Sequence, residues 1–367
     1  MGKGGKALCI VLALLLAAFG FYAAYERSRA DGLEQALLDA NGINDKISEQ
    51  KMDLQLRNEQ LEARLQALSE ELEQKTSELA NLYIAPRVTF SRSEAIQGDI
   101  VVVHVEMNSE EGEPSIKTEL GAPVFFEDPS AGGTPAIGTS SARYSKAYTA
   151  YVPVGFAQTP GDYIIDVGIN GHSYAGAVKV SERKYGEQHM TMSSATASST
   201  IGASNANEDY AQKVKSTFFT AEPEKYWDGQ FIQPVEGRVT TEFGLYRYTE
   251  YTDGTSRKMV RHTGVDIASP EGTPVPASNA GKVVYAGDVI ITGGTVVIDH
   301  GGGLKSYYFH LSSVDCRTGD VVGKGDVIGK VGSTGYATGP HLHFELKIGE
   351  YSLSPWELWD GTSDIYK

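Results

Sequence analysis

Cysteine is almost missing from this chain: its 367 residues include two, Cys9 in an apolar N-terminal run and Cys316 in the last third. That scarcity excludes a disulfide-stapled scaffold and a structural zinc site built from thiolates. It neither marks nor excludes an oxidising compartment. Positive charge is short as well. A net charge of −15 excludes a general nucleic-acid binder, because phosphate recognition needs a surplus of Lys and Arg on the binding face. It favours solubility and is silent about fold. The length predicts about two or three compact units with connectors.

The long uncharged run is ALCIVLALLLAAFGFYAAY, Ala7 to Tyr25. As a helix it would span roughly 28 Å, close to the hydrocarbon thickness of a bilayer. A cleaved secretory signal usually has a shorter apolar region and a small-x-small site, and no convincing one precedes Glu26. Residues 1–30 are therefore expected to be an N-terminal membrane anchor with a transmembrane helix at about 7–25. Lys3 and Lys6 suit a cytoplasmic N-terminus, with the bulk of the chain extracytoplasmic on a single-pass anchor; Arg27 and Arg29 on the other flank oppose that orientation.

From Leu33 to Leu82 the apolar residues fall into heptads, with Leu37, Leu65, Leu72 and Leu79 at one core position and Leu33, Ala40, Ile47, Leu54, Leu61, Leu68 and Leu82 at the other. This register predicts a coiled coil over 31–84, as a parallel homodimer or with a coiled-coil partner. Asn44, Asn58, Lys51 and Lys75 interrupt the seam, and Gly42 is a weak point. Fully helical, such a stalk extends about 75 Å. The alternative is a single amphipathic helix folded on the rest of the protein.

Pro86 ends the helical pattern, and short strands with turn signals follow: RVTFSR, GDIVVVHVEM, DYIIDVGI and HSYAGAVKV. Asn170-Gly171 is a hairpin signal. Residues 86–190 read as an antiparallel β-sandwich, in which His104, His172 and His189 lack ligand spacing. Residues 191–230 read as a flexible Ser/Ala/Thr-rich linker with one short helix, and 231–360 as a further glycine-rich β domain. The fold class is thus mainly β and multi-domain, behind an N-terminal transmembrane helix and coiled coil.

Within the last region, TGPHLHFEL places His341, His343 and Glu345 on one face of a strand and Leu342, Phe344 and Leu346 on the other. Two neighbouring imidazoles can ligate a metal, act as acid and base, or share a wet surface by accident. Two further segments bear on the choice. RHTGVDIASP carries His262 and Asp266; fully extended they would lie about 13 Å apart, so the segment must bend, and Gly264 is placed to let it. LKSYYFHLSS ends a β-type run with His310. One carboxylate and four histidines suffice for a three-ligand catalytic zinc site with two imidazoles to spare for proton transfer.

These segments resemble the lysostaphin/LytM-type zinc metalloendopeptidases, which cut peptide stems and bridges of bacterial peptidoglycan. The family's His-x-x-x-Asp motif is similar to His262 and Asp266, and its His-x-His motif to His341 and His343. The phrases TEFG, HTGVDIASPEGTPVPASNAGKVVYAGD, VVIDHGGG and GDVIGKVGSTGYATGPHLHFEL follow in order, so the resemblance covers about Phe231 to Trp359. It implies a lysostaphin-type peptidase domain over 231–360 binding one Zn²⁺ through His262, Asp266 and His343, with His310 and His341 as the catalytic pair. It also implies peptidoglycan peptides as substrate. His300 is left outside the metal site as a turn histidine, and Glu345 is either a partner that orients an imidazole or a plain surface carboxylate. The β-region ahead of residue 190 is similar, more loosely, to the sandwich module that precedes the peptidase in some members.

The expected function is a membrane-anchored zinc endopeptidase for cell-wall remodelling. The competing reading is a non-catalytic envelope scaffold or regulator of cell-wall hydrolases acting through the coiled coil. Relatives of that kind lose ligands, and this chain keeps all five residues. A transport adaptor, which the carrier-like VVGKGDVIGKVG would suit, has no need of the histidine pattern. YRYTEYTDGTSRKMV, with Asp253-Gly254, reads as a hairpin forming a wall or lid beside His262.

Overall fold

The structure, a computed structural model, describes the backbone of residues 3–38, 44–82, 85–108, 111–128 and 144–366; side chains of 3–10, 13, 30–38, 44–51, 53, 77–82, 257 and 258 lie outside the described residues. It divides into two compact units, Met1–Ala85 and Pro86–Lys367.

The first unit holds helices α1 (Lys3–Leu38) and α2 (Asn44–Leu82). Along α2 the seam residues Leu54, Asn58, Leu61, Leu65, Leu68 and Leu72 are half-buried between exposed neighbours. Along α1 the half-buried residues are Leu12, Leu16, Phe19, Ala23 and Glu26, again at heptad spacing. Arg27 of α1 stands 4.0 Å from Glu62 of α2. A straight continuous helix would hold those residues roughly 50 Å apart, so the expected extended stalk is replaced by two helices lying side by side. The seam gains a neighbour inside the same chain. The outer heptad residues Leu33, Leu37, Ala40, Ile47, Leu79 and Leu82 lie outside the described side chains. Among the described residues no helix is long and apolar enough to cross a membrane, so the span expected at 7–25 gains no support here; Ala7–Ile10 and Ala13 have no described side chain.

The second unit is mainly β. Its first part contains β1 (Arg87–Phe90), β2 (Glu94–Ile96), β3 (Ile100–Met107), β4 (Ser115–Thr118), β5 (Phe125–Glu127), β6 (Lys146–Pro153), β7 (Gly161–Ile169) and β8 (His172–Ser181). Two four-stranded sheets, β1-β3-β6-β5 and β2-β8-β7-β4, share one apolar core of Val101, Val103, Val105, Val152, Ile165, Val167 and Val178 among others. One pair, β2–β8, is parallel, where the sequence predicted antiparallel pairing throughout. Asn170 (φ 50°) and Gly171 (φ 78°) make the β7–β8 turn at the predicted place.

The expected flexible linker is ordered differently. It begins after β9 (Glu187–Met192) and carries α3 (Ser194–Ser199) and α4 (Ala206–Lys213), so the polar Ser/Ala/Thr stretch is helical and capped by Ser193. The reason is that β9 pairs in parallel with a strand from the C-terminal region, which fixes the start of the segment.

That region comprises β10 (Arg238–Thr241), β11 (Tyr246–Tyr251), β12 (Ser256–Arg261), β13 (Val265–Ala268), β14 (Pro274–Pro276), β15 (Gly281–Val289), β16 (Gly293–Asp299), β17 (Leu304–Leu311), β18 (Ser313–Val314), β19 (Val321–Val322), β20 (Val327–Lys330), β21 (His341–Ile348), β22 (Tyr351–Leu353) and α5 (Trp356–Asp360). The main sheet runs β10-β13-β21-β17-β16-β15-β19, with β22 added beside β21. Leu342, Phe344 and Leu346 point into its core with Val265, Ile267 and Tyr308. Period-two alternation then forces His341, His343 and Glu345 onto the opposite face. Ile100, Val102, Phe126 and Tyr151 from the first part belong to that same core. The two β domains predicted as separate bodies at 86–190 and 231–360 therefore pack as one, because β3 and β6 are buried on both faces.

Candidate metal centre

Asp266 on β13 pairs directly with His343 on β21, so their side chains emerge side by side on one face. His262 reaches them from the bend before β13. Gly264 is required there for close approach: a Cβ on it would sit 2.1 Å from the Phe344 carbonyl oxygen. The base of the β11–β12 hairpin fixes the His262 backbone, whose N–H donates to the Leu245 carbonyl at 2.9 Å.

The three groups converge. His262 Nε2 and His343 Nδ1 lie 2.9 and 2.7 Å from Asp266 Oδ1, and 3.0 Å from each other. All three residues are buried and form a set able to hold a metal ion. Each ligand group is also held at its far side. His262 Nδ1–H donates to the Glu242 carbonyl at 3.0 Å, which leaves Nε2 with its lone pair. His343 Nε2 faces Glu345 Oε1 at 3.0 Å, and Asp266 Oδ2 accepts from Arg247 Nη2 at 2.7 Å. Glu345 is itself held by Thr263 and by Lys347, 3.0 Å away. This is how metal-ligating imidazoles are oriented.

His310 and His341 flank the group, with ring centroids 4.8 Å apart. His310 Nδ1 donates to the Thr334 carbonyl at 2.7 Å, and His341 Nδ1 to the Gly339 carbonyl at 2.8 Å. Each therefore presents Nε2 as a free lone pair; His341 Nε2 is 3.8 Å from Asp266 Oδ1. His310 has φ 64°, a left-handed conformation that side chains rarely adopt, held by its N–H bond to the Thr292 carbonyl at 2.8 Å.

Electrostatics sort the five. Burial, then neighbouring His341 and His343, lower the His310 pKa to about 3, so the ring stays neutral. Burial likewise lowers His262, against the pull of Asp266. At Asp266 burial acts upward, but the His262 and His343 imidazoles outweigh it and hold the carboxyl well below the usual range. At His343 burial acts downward, and hydrogen bonds to Asp266 and Glu345 overcome it to raise the pKa to about 9. The two buried carboxylates thus make the site attract positive charge.

All five residues singled out from the sequence meet here. His300 does not. It is fully buried, donates from Nδ1 to the Ala280 carbonyl at 2.7 Å and bonds Ser306 Oγ through Nε2 at 2.8 Å. Sequence reasoning missed Arg247, Thr241 and Gln188. The hairpin around Asp253-Gly254 forms as predicted, with Gly254 at φ 80°, and makes a wall of the cleft: its Tyr251 hydroxyl lies 3.2 Å from that of Tyr336.

Comparison with known proteins finds a family match over the segment that carries His262, Asp266, His310, His341 and His343. Residues 260–355 match the family model described as peptidase family M23. Over 94 residues the chain is 47% identical to the DD-carboxypeptidase/endopeptidase Mpg of Neisseria meningitidis, covering 26% of this chain and 22% of that protein. It is 41% identical to lysostaphin of Staphylococcus simulans over 111 residues, covering 30% and 22%. For the peptidoglycan DD-endopeptidase ShyA of Vibrio cholerae the identity is 43% over 117 residues, covering 31% and 26%. The chain thus spans only about a quarter of these relatives. A putative M23 peptidase from Pseudomonas aeruginosa shares the fold, with a TM-score of 0.50 and 24% identity over 73% of this chain and 95% of that one.

Proposed function

We propose that this chain, which carries a peptidase family M23 domain, is a zinc metalloendopeptidase that hydrolyses peptide bonds in peptidoglycan stems or cross-bridges. The observation that carries this reading is the convergence of His262, Asp266 and His343 at 2.7–3.0 Å, beside two imidazoles that present free nitrogens. Two nitrogens and one carboxylate oxygen, with no cysteine among them, are the donor set of a catalytic zinc site rather than a structural one. Zinc in such a site supplies Lewis acidity toward a carbonyl and acidifies water.

The chain's own residues do the rest. Glu345 and the Glu242 carbonyl fix the tautomers and ring orientations of His343 and His262. His310, held neutral by burial, and His341 can each take a proton at Nε2 from the attacking water and return one to the leaving amine. Phe309, whose ring lies parallel to that of His343 at 5.4 Å, and Tyr336 with Tyr251 restrict water around the site. The peptide would run along the cleft bounded by the hairpin and by residues 336–340.

Attachment to the membrane through Ala7–Tyr25, with the bulk of the chain outside the cytoplasm where peptidoglycan lies, is part of the proposal. It is supported by the uncharged run and by the exposed Leu14, Leu15 and Phe21 of α1. Insertion would require α1 to leave α2.

The test is release of new free amino groups from purified peptidoglycan by the full chain, with a chelator and after zinc is restored. Release that a chelator stops and zinc restores is the expected result, and mass analysis of the fragments names the bond. A folded, zinc-loaded protein that releases nothing would leave the scaffold reading in its place.

A further inference from the structure

Arg247 lies outside the segment matched to the family, yet it touches a ligand of the centre. Its Nη2 donates to Asp266 Oδ2 at 2.7 Å and to Thr241 Oγ1 at 2.8 Å, and its Nε donates to Gln188 Oε1 at 2.9 Å. Gln188 is the register partner of Arg247 across the parallel β9–β11 pair, and Thr241 is the partner of Asp266 across β10–β13. Gln188 Nε2 closes the ring by donating to Thr241 Oγ1 at 3.1 Å. Three strands outside the matched segment therefore end on one carboxylate oxygen.

A carboxylate can offer a metal one oxygen or two. Here a guanidinium occupies Oδ2, and only Oδ1 turns toward the nitrogens of His262 and His343. The fork of Arg247 is planar and presents its donors in a fixed geometry, so it holds this choice by its position. We propose that Arg247 is a positioning residue that restricts Asp266 to single-oxygen ligation, and that Gln188 on β9 anchors it, so that the metal centre depends on a strand about seventy residues ahead of the matched segment. The inference rests on the zinc reading of the site.

The experiment uses the full chain and needs no peptidoglycan. Zinc affinity is measured by competition with a chromogenic chelator, and the ligand geometry by visible absorption of the cobalt-substituted protein. Arg247→Gln is expected to lose about 10–100-fold in zinc affinity, the usual effect of removing a group that orients a ligand. Its cobalt absorption should weaken as the freed Oδ2 raises the coordination number. Gln188→Ala, which keeps the guanidinium, should move both readouts in the same direction by less, while Glu250→Ala on the exposed side of β11 should move neither. Circular dichroism and thermal midpoints identify variants that fail to fold, and Gln188→Ala decides the matter if Arg247→Gln is one of them. Wild-type affinity and an unchanged spectrum in folded variants would overturn the inference alone. Shifted metal readouts in the variants, beside a wild-type chain that never cleaves peptidoglycan, would overturn the proposed activity alone.

Discussion

At the scale of single residues the proposed function assigns the histidines separable duties. His343→Ala removes a proposed ligand and should abolish zinc binding and hydrolysis together. His341→Ala should leave zinc bound while hydrolysis falls by about 10²–10⁴-fold, the range for loss of a general acid or base. Metal content by atomic spectroscopy alongside amine release checks both, and equal zinc loss in the two variants would reverse the assignment. His300 carries a different prediction. Burial lowers its pKa to about 4, so the folded protein keeps it neutral while the unfolded chain titrates near 6.5. The unfolded state therefore binds the extra proton, and the stability tied to this ring is complete above pH 6.5 and is lost as pH falls toward 4. Between pH 7 and 5 the loss should be about 2 kcal/mol, and denaturant titrations of His300→Gln should show a pH dependence smaller by that amount. Much of this scale was legible in the sequence, since alternation alone put His341, His343 and Glu345 on one face. Arg247 was not, because its reach to Asp266 depends on which strand the hairpin pairs with, and the β9 pairing has no local signal.

At the scale of elements the site depends on how closely β13 lies on β21. Gly264 permits that approach, since a methyl there would stand 2.1 Å from the Phe344 carbonyl oxygen and 2.8 Å from the Glu345 side chain. Gly264→Ala should cost about 1–3 kcal/mol, as overpacking does, and should weaken zinc binding because His262 and Asp266 bracket the displaced residue. Thermal unfolding and a zinc titration of this variant would check it, and a wild-type midpoint would show that the strand can move aside. The sequence pointed to this glycine as a bend, where the structure has one, and the requirement for glycine there is proximity. The hairpin turns were readable from Asn170-Gly171 and Asp253-Gly254, because turn chemistry is local. The helices α3 and α4 were harder to read in full, since their composition is that of a linker and β9 fixes where they start.

At the scale of the molecule, the residues from Pro86 onward form one body. The sequence of β3, IVVVHVEM, opens on four consecutive apolar residues, which is the mark of a strand covered on both faces there. One face of β3 meets the second sheet through Val101, Val103 and Val105; the other contributes Ile100 and Val102 to the core of the C-terminal β-region. Backbone bonds cross the junction, with Ser354 N–H donating to the Gly98 carbonyl at 2.9 Å. Arg92 adds a charged tie: it stands 2.8 Å from Asp99 and also pairs with Asp364 near the C-terminus, both acids being almost wholly buried. Removing it as Arg92→Met would leave Asp364 buried with its strongest cation gone, at a cost of about 3 kcal/mol, the low end for breaking a buried pair. All three tryptophans, Trp227, Trp356 and Trp359, lie in the C-terminal half of this unit, whereas circular dichroism of a chain cut back to residues 86–367, without α1 and α2, reports both halves. If the shared core governs stability, tryptophan fluorescence and circular dichroism should follow one coincident denaturant transition over this unit, and Arg92→Met should shift both equally. Two separated transitions would mean that the first pair of sheets unfolds on its own and that the β3 face contributes little to the body that carries the candidate metal centre.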